Sequence, residues 1–88
     1  MLNPVYTNAF KKDVKLAKKR NLDMTVLRFL MTEIACEKPL AAKHRNHKLT
    51  GNWKEHWECH ISPDWLLVYK LHGGDVIFER TGSHADLF

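Results

Sequence analysis

The C-terminal half of the chain concentrates side chains that move protons or hold phosphate: His44, His47, His56, His60, Asp64, Arg80 and His84. From Asn52 the hydropathy alternates with a period of two. Trp53, Trp57, Cys59 and Ile61 fall on one side, and Lys54, His56, Glu58 and His60 on the other, the pattern of a strand with one polar face. A solvated sheet face lined by acid, base and cation is a candidate site, and the plain alternative is a water-facing surface with no task. The convergence of histidines from separate segments favours the site.

Two chemistries can use such a set. His44-x-x-His47 and His56-x-x-Cys59-His60 superficially match metal-ligand spacings. On a strand, however, Cys59 points away from His56 and His60, and no paired CxxC knuckle accompanies them, so neither a metal nor a cofactor is expected. The second chemistry is metal-free RNA cleavage, in which a ribose 2′-OH attacks the adjacent phosphate. It requires a base for the 2′ proton, an acid for the departing 5′ oxygen and a cation for the charge developing on phosphate. Histidine serves as base or acid near neutral pH, Asp64 can be a base or orient a histidine, and the planar fork of Arg80 suits phosphate. Trp65 or Phe88 can stack on an unpaired base, although the plain reading of Trp53, Trp57 and most of Trp65 is core packing.

The elements that must carry these residues follow from periodicity and punctuation. Residues 2 to 7 read as a short edge strand, with Pro4 near its start. Thr7 or Asn8 caps a helix in which Phe10, Val14 and Ala17 recur at helical spacing, with Lys11, Lys12, Lys15, Lys18 and Lys19 in an arc beside that stripe. The helix ends at Asn21 or Leu22. Asp23 caps a second, antiparallel one carrying Met24, Leu27, Leu30, Met31, Ile34 and Ala35, closed by Pro39. Leu40 to Gly51 reads as a polar, basic surface loop. After the strand from Asn52, Ser62-Pro63-Asp64 is turn chemistry, Trp65 to Leu71 is a more apolar central strand, and Gly73-Gly74 turns the chain into a third strand, Val76 to Thr81. The class is α+β, one small domain over residues 1–88.

Composition narrows the function. With 88 residues there is room for a single modest core and no separate substrate domain. The net charge of +4 points to an anionic partner. The longest apolar run, Trp65 to Tyr69, is far short of the roughly 20 residues of a membrane span, and the N-terminus lacks a leader pattern, so no membrane association and a cytoplasmic location are expected. Two cysteines, Cys36 and Cys59, are expected to be reduced.

Three stretches in this order resemble the YafQ branch of the RelE/ParE toxin superfamily: His47-Lys-Leu-Thr-Gly-Asn-Trp-Lys54, His60-Ile-Ser-Pro-Asp-Trp-Leu-Leu-Val-Tyr-Lys70, and Phe78-Glu-Arg-Thr-Gly-Ser-His84-Ala-Asp-Leu-Phe88. Phe10 to Arg20 and Leu30-Met-Thr32 look like the family's helical portion. The resemblance implies a four-stranded antiparallel sheet with two helices on one face. It further implies a type II toxin that enters the ribosomal A site, cuts the mRNA codon there and is held inactive by a cognate antitoxin in a hetero-oligomer.

Carried over by position, the family's active-site set falls on His47, His60, Asp64, Trp65, His84 and Phe88, with Arg80 as the phosphate-binding arginine. The motifs leave base and acid unassigned. The chemistry motivates one arrangement. Asp64 and His60 act together on the nucleophile, His84 protonates the leaving oxygen, His47 and Arg80 hold phosphate, and Trp65 and Phe88 flank the bases. Lys54 touches message, and Lys11, Lys15 and Lys18 are candidates for ribosomal RNA. The competing readings are a ParE-like topoisomerase inhibitor and a basic RNA-binding module without catalysis.

Overall fold

The computed structural model describes all residues from Met1 to Phe88. Its elements run β1 (Asn3–Tyr6), α1 (Asn8–Lys19), α2 (Met24–Ala35), β2 (His47–Lys48), β3 (His56–Ser62), β4 (Trp65–His72), β5 (Asp75–Gly82) and α3 (His84–Leu87). Short 3₁₀ turns cover Ala42–His44 and Gly51–Trp53.

Local chemistry explains both long helices. Thr7 caps α1, its hydroxyl accepting from the Phe10 N–H at 3.0 Å, and Asp23 caps α2 by accepting from the Thr25 N–H at 2.9 Å. Asn21 and Glu37, at φ 59° and 58°, take left-handed backbone just past the two helices and turn the chain away. The second helix therefore stops before Pro39, which lies in the following loop.

The sheet is five-stranded in the order β1-β5-β4-β3-β2. The expected purely antiparallel, four-stranded sheet is corrected in two respects. β1 pairs with β5 in parallel, because the chain crosses the sheet through both helices before returning. The extra strand, β2, is two residues that pair His47 with Glu58 and Lys48 with Trp57, too short to show a period in sequence. The antiparallel β3-β4-β5 meander stands where expected, and β4 is central, buried on both faces from Trp65 to Tyr69.

The main core lies between the sheet and the two helices. Phe10 and Ala17 of α1 and Leu27, Leu30, Ile34 and Ala35 of α2 meet Cys59, Ile61, Trp65, Leu67, Tyr69, Val76 and Phe78. On the opposite sheet face only Leu66, Val68 and Leu87 form an apolar floor, edged by Leu49 and Trp53. Trp53 thus departs from the expected strand. Glu55, at φ 71°, breaks the alternation before β3 begins, and Trp53 sits on the face opposite Trp57. The 40–51 segment is not wholly surface either: His44 is buried, and its Nδ1–H donates to the His60 carbonyl at 2.7 Å.

Both cysteines are free thiols, and burial pushes the Cys59 thiol up to about 12. No helix is long and apolar enough to cross a membrane.

Candidate active site

Strand register assembles the site. His47, Glu58, Val68 and Arg80 are consecutive cross-strand partners over β2, β3, β4 and β5, so they share the face away from the helices. In β5 the register shifts between Phe78, opposite Tyr69, and Arg80, opposite Val68, leaving Glu79 as the additional residue of a bulge. The next row is His60, Leu66 and Gly82. At Gly82 the chain turns into α3, whose capping box (Ser83 and Asp86) sets the first turn. A Cβ on Gly82 would lie 3.0 Å from the Asp86 side chain, so glycine permits this close approach. The turn brings the His84 ring within 5.9 Å of the His60 ring, and His60 lies 6.4 Å from His47.

Each central histidine has a carboxylate. His84 Nδ1–H donates to Asp64 Oδ1 at 2.9 Å, and the same oxygen accepts the His84 backbone N–H at 3.1 Å. These two bonds hold the Asp64 carboxyl below its ordinary range. Glu58, buried among the floor residues, places Oε1 3.4 Å from His60 Nε2 and 3.6 Å from His47 Nε2. His47 Nδ1–H donates to the Arg45 carbonyl at 2.7 Å, leaving Nε2 directed toward the row. The expected Asp64–His60 partnership is therefore corrected: the turn at Pro63 carries Asp64 to His84, and the carboxylate of His60 is Glu58.

Arg80 lies in the row but is not free. Its Nε and Nη2 donate to Asp13 of α1 at 2.6 and 3.1 Å, and this pairing raises its already high pKa. Phe88 is exposed at the rim, edge-on to Trp53 with centroids 5.7 Å apart and 6.5 Å from His84. Lys54 is exposed beside Trp53, and its carbonyl accepts from His56. His56 has both nitrogens engaged, the second with Glu79 at 2.8 Å, and so braces the rim.

Trp65 is a correction. It has the same parity on β4 as Leu67 and Tyr69, so it points into the helix-side core, 4% exposed, and cannot stack on a base from there. Cys59 faces that core as well, away from His56 and His60. Lys11, Lys15 and Lys18 are exposed on α1.

Sequence reasoning missed the roles of Glu58, Asp13 and Trp53. Glu58 had a signal in its place between two histidines on the alternating polar side. Asp13 had one as the only acidic residue in a lysine-rich helix. Trp53 had none, because its strand pattern was accidental.

The mRNA interferase toxin YafQ of Escherichia coli strain K12 is 48% identical over 84 residues, covering 94% of this chain and 91% of that protein. The toxin in the crystal structure of the E. coli DinJ-YafQ toxin-antitoxin complex is 45% identical, with a TM-score of 0.91 over 99% of this chain and 97% of the solved one. A metal-bound toxin from Helicobacter pylori is 38% identical, with a TM-score of 0.94 over 100% of both chains. The family model described as bacterial toxin of type II toxin-antitoxin system, YafQ, matches residues 2–88. With the site in the order and positions described, the chain belongs to the YafQ family of type II toxins.

Proposed function

We propose that this protein is a ribosome-dependent mRNA endoribonuclease that cuts message in the A site without a metal, works in the cytoplasm and is neutralised by a cognate antitoxin in a toxin-antitoxin complex. The observation that carries the reading is a pair of histidine–carboxylate couples on one sheet face, His84 with Asp64 at 2.9 Å and His60 with Glu58 at 3.4 Å, their rings 5.9 Å apart. The E. coli relative, named as an mRNA interferase, supports the substrate, and the DinJ complex of that relative supports a protein antitoxin. A topoisomerase inhibitor or a passive RNA-binding module would leave both couples without a task.

In the proposed reaction His60, placed beside Glu58, takes the 2′-OH proton as O2′ bonds to phosphorus. The P–O5′ bond breaks, and His84 gives its Nε2 proton to O5′, leaving a 2′,3′-cyclic phosphate and a 5′-hydroxyl. Asp64 accepts from Nδ1–H of His84 and so fixes the ring with Nε2 turned outward to the leaving oxygen. His47 and the remaining N–H groups of Arg80 stabilise the phosphate oxygens. Phe88, backed by Trp53, flanks a base, and Lys54 meets the message strand. Lys11, Lys15 and Lys18 contact ribosomal RNA phosphates. The ribosome supplies the positioning that so small a chain lacks.

The test is cleavage of message on programmed ribosomes, mapped by primer extension. Wild type cuts within the A-site codon, and His84→Gln slows cleavage about 100-fold or more, the contribution of a general acid. A chelator directed at zinc and copper, which leaves ribosomal magnesium in place, does not change the rate. Replacing Lys11, Lys15 and Lys18 with Gln flattens the fall of ribosome affinity with salt. Absence of cutting by wild type would sink the nuclease reading. A wild-type rate in His84→Gln would remove the acid, and inhibition by the chelator would remove the metal-free mechanism.

A further inference from the structure

We infer that Asp13 is a positioning residue for Arg80: a carboxylate on the helix-side element α1 that fixes the orientation of a guanidinium on the opposite, chemical face. The inference rests on the nuclease reading above. Its structural basis is a gap in the sheet edge. β1 pairs with β5 only as far as Phe78, so beyond that residue β5 has no outer strand. Asp13 reaches into this gap. One oxygen, Oδ2, accepts from Arg80 Nε at 2.6 Å and from the Thr81 backbone N–H at 3.1 Å, and Oδ1 accepts from Arg80 Nη2 at 3.1 Å.

Three bonds on one carboxylate define a plane. The side chain of Asp13 is only 13% exposed and that of Arg80 31%, so the clasp is partly shielded from water. A free arginine has rotamer entropy to lose when it grips a phosphate. Here that loss is incurred on folding, with Nη1 and the outer side of Nη2 left to donate. The negative charge of Asp13 offsets part of the attraction of Arg80 for any anion, so the gain is in placement. Placement counts most in the transition state, where charge builds on the phosphate oxygens.

The experiment is a double-mutant cycle in single-turnover ribosome cleavage, followed for hours so that residual rates are measurable. Asp13→Asn keeps an oxygen for the Thr81 N–H but sets an NH2 or a neutral oxygen against the fork. It is expected to lower the maximal rate about 10-fold with the half-saturating ribosome concentration within about twofold, and with the melting temperature within a few degrees. These figures follow from a lost transition-state contact that ground-state binding does not use. Asp13→Glu, which retains the charge on a longer arm, recovers part of the rate.

In an Arg80→Gln background the Asp13→Asn change costs less than twofold, since the residue through which it acts is gone. A wild-type rate in Asp13→Asn, or the same 10-fold loss with and without Arg80, overturns the inference and leaves the nuclease reading standing. A wild-type rate in Arg80→Gln removes the phosphate role of Arg80 and the inference with it. Failure of wild type to cut at all overturns both.

Discussion

The two faces of the sheet are built from the same strands and do opposite things. Toward the helices, Trp65, Leu67 and Tyr69 of β4 enter a continuous apolar core of 13 buried residues. Away from them, Leu66 and Val68 of the same strand support a floor of three buried apolar residues, above which stand His47, Glu58, His60, Arg80 and His84. Alternation along a strand thus separates the residues that hold the fold from those proposed to react. In an 88-residue chain, this lets one sheet serve as both core wall and site floor. The proposed chemical face is also rimmed by short elements, a two-residue strand, a 3₁₀ turn and a four-residue helix, which place His47, Trp53 and His84.

The largest effect expected from this division is on stability from the helix side. Phe78 is 1% exposed and touches the rings of Tyr6, Phe10 and Tyr69. Phe78→Ala should cost about 3–5 kcal/mol, a large share of the roughly 4–13 kcal/mol that a chain of this length possesses. Urea titration should show the loss, while cleavage per folded molecule stays near wild type. A cost below about 1 kcal/mol would show that the helix-side cluster is not the principal core.

Trp65 tests the boundary itself, because its place in the motif and its place in the structure disagree. Its indole N–H is buried with no acceptor, so Trp65→Phe removes an unsatisfied donor while opening a small void. The expected outcome is a stability change of about 1–2 kcal/mol at most, with cleavage within threefold of wild type. A tenfold slower cut with unchanged melting would place Trp65 on the chemical face after all.

That disagreement marks where the sequence was legible. The turns at Pro63-Asp64 and Gly73-Gly74, the central strand and the caps Thr7 and Asp23 are local chemistry, and they stand where residue type puts them. Parity along β4 also contained the answer for Trp65, which shares its side with Leu67 and Tyr69, but the motif drew it toward the site. The pairing of Asp64 with His84, 20 residues apart, and of Asp13 with Arg80, 67 apart, depends on the packed fold and has no local signature. β2 and α3 are too short for any period to reveal, yet they carry His47 and His84.

The smallest expected effect belongs to the rim that aims His84. Asp86 accepts from Arg20 Nη1 at 2.7 Å and from the Ser83 backbone N–H at 3.0 Å, tying α3 to the end of α1. These contacts, Arg20 foremost, hold the Asp86 carboxyl well below the usual carboxylate range, near 3.9 in an unfolded chain. A carboxyl whose folded pKa is depressed stabilises the fold above the unfolded value and loses that contribution as pH falls through the folded one. The difference in melting temperature between wild type and Asp86→Asn should therefore be constant from pH 7 to about pH 5 and shrink below about pH 4. The pair is exposed, so the difference should be only a few degrees and should weaken with salt. Because α3 carries His84, Asp86→Asn should also slow cleavage a few-fold at neutral pH, through a looser aim and not through a weaker core. A melting difference that persists unchanged to pH 2.5 would mean that the carboxylate charge is not what fastens the rim. Cleavage at the wild-type rate would mean that His84 holds its position through Asp64 alone.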